Sequence, residues 1–309
     1  MLEIEKGAIE MHYTGTVWRP PYEASSLLIE VTAGCTHHKC KFCTLYDNLP
    51  FKFRVSPLED IEEDIKEAQE HYKLWNFRKV SRTFLVGANP FVLKSSRLLE
   101  IASLIQKYFP SNQSIGCFAR ITDIAIKKEE ELSALRKAGY DGITIGIETG
   151  NNDALAFINK GYQAKDIITQ CQRLENAGIH YHFFYLTGIS GLGKGEKGAR
   201  DTANVCNQLN PQIIGASMLT IFPNSELYKE IEAGHWNEET EIEKYRELRT
   251  LADNLNIPVW FAVGGASNAI PIQGTFPKDK KKVVSVLDKI IKSADEKELR
   301  NYRTNLHHL

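Results

Sequence analysis

Three of the chain's six cysteines, Cys35, Cys40 and Cys43, crowd into nine residues within the segment EVTAGCTHHKCKFC (30–43). Thiolates on one short loop, directly after an apolar run with the composition of a buried strand, can converge on a single inorganic centre. A [4Fe–4S] cube has four irons, so three cysteines leave one iron open to an exogenous ligand. Zinc is the rival occupant, taking the three thiolates with His37 or His38. A structural zinc knob usually brings a second ligand pair farther along the chain, and a cluster that only carries electrons usually has a fourth cysteine; the sequence offers neither nearby. The triplet therefore favours an open-site cluster and leaves zinc as the alternative. Cys117, Cys171 and Cys206 lie scattered and read as small buried hydrophobes. Distributed in this way, the six do not make the disulfide framework of a short secreted domain.

A cluster loop needs a rigid strand behind it and helices to cover that strand, and the pattern supplies both. Apolar, β-rich runs at 26–33, 80–88, 114–119, 142–147, 180–188 and 213–221 are continuous more than alternating, which marks strands covered on both faces, as in a parallel sheet. Amphipathic stretches lie between them near 95–108, 128–138, 164–177 and 199–209. The clearest begins at Ser56, where Ser56, Pro57 and Glu59 supply an N-cap, an N1 proline and a capping-box carboxylate. Leu58, Ile61, Ile65, Ala68 and Tyr72 then recur at helical spacing. Strand and helix repeat about six times, each helix being long enough to cross between parallel strands. Periodicity does not separate an open doubly wound sheet from an incomplete barrel, and both place chemistry at the carboxyl ends of the strands.

After residue 222 the pattern changes to polar helices (225–233 and 238–255), a short strand at 257–263, a turn-rich GGASNAIPIQGTFPKD and a closing helix at 281–293. The expected organisation is a core with an N-terminal extension over 1–222 and a C-terminal helical and strand extension, 223–309, covering it. With 42% hydrophobic and 25% charged residues the chain can bury a large core. A net charge of −1 does not advertise the basic face of a nucleic-acid binder. No apolar run approaches the ~20 residues that span a bilayer, and the opening MLEIEKGAIEM lacks the basic-then-apolar plan of a secretory signal. The expectation is a cytoplasmic protein with neither a membrane nor a nucleic acid as partner.

Phe42 stands directly before Cys43, in the wider stretch RPPYEASSLLIEVTAGCTHHKCKFCTLY (19–46). On these residues the chain resembles the radical S-adenosylmethionine (SAM) superfamily, whose cluster cysteines follow the first strand of a partial barrel. It looks like a small single-domain branch, similar to the elongator-subunit or methylthiotransferase radical domain without cobalamin or auxiliary-cluster domains, over Arg19 to Asp279. One departure is the spacing: four residues, Thr36 to Lys39, separate the first two cysteines, where the superfamily commonly has one fewer. The resemblance implies an α/β fold, a partial (β/α)6 TIM-like barrel with a C-terminal helical extension. It also implies a [4Fe–4S] cluster on Cys35, Cys40 and Cys43, and SAM as cofactor.

The same resemblance assigns SAM contacts at the strand ends. Gly87 and Asn89 in GANP match the segment that receives the methionyl amino group, although the usual acidic form is absent and Asn89 accepts only through its amide oxygen. Arg120, closing CFAR, would clamp the SAM carboxylate with its planar fork. Glu148 in IGIETG matches a carboxylate partnered by ribose hydroxyls or the SAM amino group. Gly188, Ile189 and Gly191 match a GxIxG element beside adenine, where glycine permits close approach. Against these stand a plain turn for 87–90, a surface ion pair for Arg120 and a structural ion pair for Glu148; a P-loop reading of GLGKGE fails on spacing. Asn224 replaces the glycine of a Pro-Gly-Thr/Ser turn that uses the left-handed conformation, and Ser267 and Asn268 match the SN of a tail loop.

The chemistry implied is chelation of the open iron by SAM and reduction by an external one-electron donor such as flavodoxin or ferredoxin. Cleavage of the C5′–S bond then yields a 5′-deoxyadenosyl radical that takes hydrogen from substrate. No second cysteine cluster is present to be consumed in sulfur insertion, which disfavours that role, and the neutral charge and short tail count against a peptide or RNA, so a small molecule is the expected substrate. Tyr46, Arg54, His182 and Tyr185 are candidates to face it, and no general base stands out. A non-enzymatic zinc- or cluster-binding scaffold is the alternative from another class, and modification of a peptide or RNA is the third reading.

Overall fold

The computed structural model describes residues 11–74 and 79–306. The N-terminal alternation noted above falls, but for Met11, outside the described residues. The chain clusters into two compact units, the first running up to Thr36 and comprising also Asn48–Thr144 and Ala177–Ile179, the second comprising His37–Asp47, Ile145–Asn176 and the chain from His180 onward.

In the first unit β1 (Leu27–Glu30), β2 (Thr32–Gly34) and β3 (Phe53–Val55) precede α1 (Leu58–Leu74), β4 (Arg82–Val86), α2 (Ser95–Tyr108), β5 (Ser114–Ala119), α3 (Ile121–Ala125) and α4 (Glu129–Lys137). Strands β1, β4 and β5 pair in parallel in that order, with Leu27 opposite Thr83 and Arg82 opposite Ser114. In β4 only Arg82 escapes full burial, and β5 is buried on both faces at Ile115, Gly116 and Cys117, as continuous apolar runs require. Helix α1 turns Ile61, Ile65 and Ala68 inward at helical spacing, and its first turn opens where Ile61 N–H donates to Pro57 O at 3.2 Å.

Strand β6 (Ile143–Glu148) carries the chain into the second unit. There follow α5 (Asn152–Phe157), α6 (Ala164–Asn176), β7 (Tyr181–Thr187), α7 (Gly195–Cys206), β8 (Ile213–Met218), α8 (Glu226–Glu232), α9 (Glu241–Asn254), β9 (Val259–Val263), β10 (Ile272–Phe276), α10 (Lys280–Ser293) and α11 (Glu296–Thr304). Strands β7, β8 and β9 run parallel, with Ile213 opposite both His182 and Trp260, and β10 returns antiparallel to β9. The tail strand expected at 257–263 thus extends the parallel array beyond β8, and α9 packs on α7 and α10.

Two differences from the expected elements have local causes. Helix α7 opens at Gly195 rather than at 199; Gly195 and Gly198, poor helix formers, hide its first turn from the sequence. In the fold the missing side chain at Gly195 is room taken by acid groups, since an added Cβ would stand 2.1 Å from Glu239 Oε1. Strand β10 is concealed in sequence by Gly274 and by Pro271 and Pro277, which sit just outside its ends. Gly274 lets α10 press onto the strand, for a Cβ there would stand 2.8 Å from Val283 Cγ2. Among the described residues no helix is long and apolar enough to cross a membrane.

Candidate functional site

The cysteine segment is the connection of the β2–β3 hairpin, in which Gly34 pairs with Phe53. Cys35 N–H donates to Lys52 O at 3.0 Å, and Gly34 (φ 77°) must lack a side chain because a Cβ would lie 2.2 Å from that same carbonyl. Cys35 belongs to the first unit, whereas Cys40 and Cys43 belong to the second, which grips their CKFC stretch at several points. Lys41 N–H donates to Ile158 O (3.2 Å), Leu227 N–H donates to Lys41 O (2.7 Å), and Cys43 N–H donates to Cys40 O (3.1 Å). The Lys41 ammonium pairs with Glu230 at 2.6 Å and lies 4.3 Å from the Phe157 ring centroid. Phe42 packs against a buried cluster of Ile158, Ile189, Leu219, Leu227 and Trp236.

All three thiols are outside disulfides and partly exposed, which leaves them accessible to a metal centre, while Cys117, Cys171 and Cys206 are buried as expected. Burial pushes the Cys206 thiol up to about 12 and those of Cys117 and Cys171 upward as well, which keeps them inert. His37 Nε2 donates to Asn159 O (2.5 Å), and His38 Nε2 meets Asp47 Oδ1 (3.1 Å), so each spends a ring nitrogen on the protein itself. Among the described residues no group of three or more His, Cys, Asp or Glu side chains is already gathered to hold a metal ion. The fit to an iron–sulfur cluster therefore rests on donor chemistry: three soft thiols within one nine-residue stretch.

In the first unit the structure joins Asn89, Thr36, Arg120 and Asp123. Asn89 is fully buried; its amide donates to Thr36 Oγ1 (2.8 Å) and to both Asp123 oxygens (3.3 and 3.1 Å), and its oxygen accepts from Thr36 N–H (3.4 Å). Asp123 also accepts from Arg120 N–H (2.8 Å), and burial pushes its carboxyl upward. Asp123 escaped the sequence reading, although its place three residues after Arg120 is a capping-box spacing. Gly87 (φ 139°) is accounted for by Thr32, whose Oγ1 would lie 2.0 Å from an added Cβ.

In the second unit Glu148, held at φ 62°, accepts from Lys160 at 2.9 Å, and Lys160 is 5% exposed. Burial pushes the Lys160 ammonium down, but Glu148, with Tyr162 and Cys40, outweighs it and holds the group above its ordinary value. Ile189 lies in the cluster that supports Phe42, so two of the expected contact residues meet there. Gly188 (φ 90°) and Gly191 (φ 83°) have their missing Cβ space filled by Lys244 and Trp236.

Among the remaining candidates, Tyr185 is buried and donates to Glu247, whereas Arg54 is exposed and spends one N–H on Thr14 Oγ1 at 2.6 Å. His182 is 7% exposed, whereas His180 precedes β7 and is exposed. Asn224 is not among the residues with positive φ, which corrects the left-handed turn expected there; its amide reaches Asp47 at 3.2 Å. Asn268 is buried and donates to Ala216 O (3.2 Å), tying the tail loop to β8.

A cysteine triplet after the first strand of a parallel βα array is the arrangement of the radical SAM proteins. The model of the radical SAM superfamily matches residues 29–201, more than half of the chain, and the chain belongs to that superfamily. The superfamily uses a [4Fe–4S] cluster and SAM, which are therefore this chain's cofactors.

Among individual proteins it is similar to the heme chaperone HemW of Buchnera aphidicola subsp. Schizaphis graminum, 23% identical over 62% of this chain and 50% of that protein. It thus spans about half the length of that relative. Solved structures with the same fold include methylornithine synthase (PylB), 14% identical over 90% of this chain and 85% of that one, with a TM-score of 0.52. Another is Elp3 of the archaeon Methanocaldococcus infernus, 12% identical over 79% and 61%, with a TM-score of 0.52. The fold is accordingly α/β, of the partial (β/α)6-barrel type with a C-terminal extension.

Proposed function

We propose that this chain is an enzyme that holds its [4Fe–4S] cluster on Cys35, Cys40 and Cys43 and acts on a small-molecule substrate. When bound, the cluster and SAM supply reductive cleavage of the C5′–S bond and a 5′-deoxyadenosyl radical, the electron coming from an external donor such as flavodoxin or ferredoxin. The observation that carries the reading is the grip on CKFC: Lys41 is fixed by two backbone bonds and Glu230, and Phe42 by a buried apolar cluster, while the thiols on either side stay outside disulfides. The backbone between Cys40 and Cys43 is thus ordered in advance, which lowers the entropic cost of loading, while the thiols themselves still have to converge on the cluster.

Within this reading the turn Gly188–Gly191 bounds the adenosyl group. Gly87, Asn89 and Arg120 meet the methionyl end, with Asp123 orienting Asn89. Glu148 is held by Lys160 with one oxygen, and its second oxygen serves the ribose or the amino group. The chain divides in this reading into a core with its N-terminal extension up to residue 222 and a C-terminal extension from 223, and a reducing cytoplasm suits reduced thiols and a reducible cluster.

The likeness to heme chaperones favours one other reading, a cluster-bearing carrier of a prosthetic group that does not turn over SAM. Anaerobic reconstitution with iron and sulfide, reduction in the presence of SAM and chromatography for 5′-deoxyadenosine separate the two, with Cys40→Ala run alongside. Nucleoside from the unaltered protein alone supports the enzyme. Iron uptake without nucleoside, together with stoichiometric binding of added heme, supports the carrier. A colourless, zinc-loaded protein defeats both.

A further inference from the structure

The turn Gly188–Gly191 is held mainly from outside its own strand. Its own backbone contributes little, with Gly191 N–H donating to Gly188 O at 3.2 Å and Ile189 N–H to Leu186 O at 3.4 Å. The stronger restraints come from residues 236–247. Glu247, on α9 and wholly buried, accepts from Gly188 N–H at 2.7 Å through one oxygen and from the Tyr185 hydroxyl through the other. Lys244, also wholly buried, lays its methylenes beneath Gly188, where an added Cβ would stand 3.0 Å from its Cε. Its ammonium is tied back to Glu238 (2.6 Å) and Glu241 (3.1 Å), so the stem cannot swing away.

A second acid, Glu239 (1% exposed), converges on the same point. An added Cβ at Gly195 would stand 2.1 Å from Glu239 Oε1 and 2.7 Å from Glu247 Oε2, so both carboxyls press on the first residue of α7. Burying a carboxyl is costly unless its oxygens are used. Packing alone would be served here by an apolar side chain. What an apolar side chain cannot do is accept from the Gly188 N–H, which stands just past the end of β7.

We propose that Glu247 is a positioning residue for SAM: by fixing Gly188 N–H and Tyr185, with Lys244 beneath and Glu239 beside it, α9 sets the shape of the turn that bounds the adenosyl group. The inference rests on the reading above that this turn meets SAM.

The test uses the full chain, reconstituted anaerobically, as Glu247→Gln and Glu247→Leu beside the unaltered protein. Three readouts are taken: equilibrium binding of SAM, equilibrium binding of S-adenosylhomocysteine, and the change that methionine alone makes in the electron paramagnetic resonance spectrum of the reduced cluster. Gln keeps an acceptor for Gly188 and turns its NH2 toward the Tyr185 oxygen, which can accept, and SAM affinity should stay within about twofold. Leu keeps the volume and loses the acceptor, which is worth about tenfold in affinity for both adenosyl ligands by the net value of a hydrogen bond. The methionine response should be unchanged, because methionine carries no adenosyl group. Should the Leu variant not fold, Glu247→Asp, which retracts the carboxylate by one methylene, is held to the same expectation. Leu or Asp binding SAM as tightly as the unaltered protein overturns the inference, and so does loss of the methionine response together with SAM affinity. Failure of the unaltered, cluster-loaded protein to bind SAM overturns the underlying reading instead.

Discussion

Arg303 ties the C-terminal helix to the carboxyl end of β8, and its removal has a calculable cost. The guanidinium is 4% exposed; Nε donates to both oxygens of Glu241 (2.9 and 3.0 Å), Nη1 to Ser267 O (2.8 Å) and Thr220 Oγ1 (3.3 Å), and Nη2 meets Met218 Sδ (3.1 Å). Glu241 is wholly buried and keeps Lys244 at 3.1 Å and Arg300 at 3.6 Å when Arg303 is gone, so Arg303→Met leaves it with two cations rather than none. Breaking a buried pair costs about 3–5 kcal/mol, and the two remaining cations point to the lower end. Orphaning the Ser267 carbonyl adds about 1 kcal/mol.

The expected loss on Arg303→Met is therefore about 3–4 kcal/mol, read as a lower guanidinium midpoint at unchanged m-value or as a melting temperature lower by about 5–6 °C. A cycle with Glu241→Gln should show coupling of about 1.5 kcal/mol or more, since the two side chains share bonds. Burial pushes the Glu241 carboxyl up, but Arg303 and Lys244 outweigh it and hold it below its ordinary value. Its contribution is thus present above the ordinary carboxylate range and lost as pH falls through the depressed value. Arg303→Met should accordingly begin to unfold at a higher pH on acidification. A cost under 1 kcal/mol, or strict additivity in the cycle, would refute the reasoning.

Cys40→Ala should lose its iron and its colour on reconstitution, whereas Cys117→Ser should keep full iron content and lose about 1–3 kcal/mol, because a hydroxyl replaces a fully buried thiol. Lys160→Met leaves Glu148 without its 2.9 Å partner and should cost about 3 kcal/mol in denaturant unfolding, while Lys160→Arg should restore part of that loss. Burial pushes the adjoining carboxyls of Glu239 and Glu247 upward, so the folded pair keeps a proton where unfolded glutamates, near 4.5, have released theirs. The unfolded state then binds fewer protons, and stability should fall as pH rises above 4.5, by at most about 1.4 kcal/mol per pH unit. Glu239→Gln should flatten that slope, and an unchanged slope would show that the pair is not protonated.

How far the sequence discloses this molecule depends on the range of the interaction. Strand β5 falls where its apolar run places it, at 114–119, and helix α2 fills 95–108, because burial on both faces and a 3.6-residue repeat are written locally. The lone cysteines are likewise buried as their isolation suggests. Side-chain direction inside the parallel sheet is less accessible. His182 and Tyr185 stand at odd spacing on β7 and so point to opposite faces, yet both are buried, because both faces of such a strand are covered. Nor does IGIETG disclose that Glu148 adopts a positive φ and turns to a lysine twelve residues on.

The glycines of the turn after β7 show a deeper limit. A flat base approaching the backbone requires glycine, but so does a side chain of the protein itself, and the two demands leave the same letter in the sequence. At Gly188 the neighbour is the Lys244 stem, and at Gly191 it is the Trp236 indole, whose Nε1 would lie 2.6 Å from an added Cβ. Trp236 in turn belongs, with Ile189, to the cluster on which Phe42 rests. An alanine at Gly191 would have to displace that indole, and the displacement would pass to the aromatic ring that seats Cys40 and Cys43. The turn and the CKFC stretch therefore share one support, which explains why residues so distant in sequence must be chosen together.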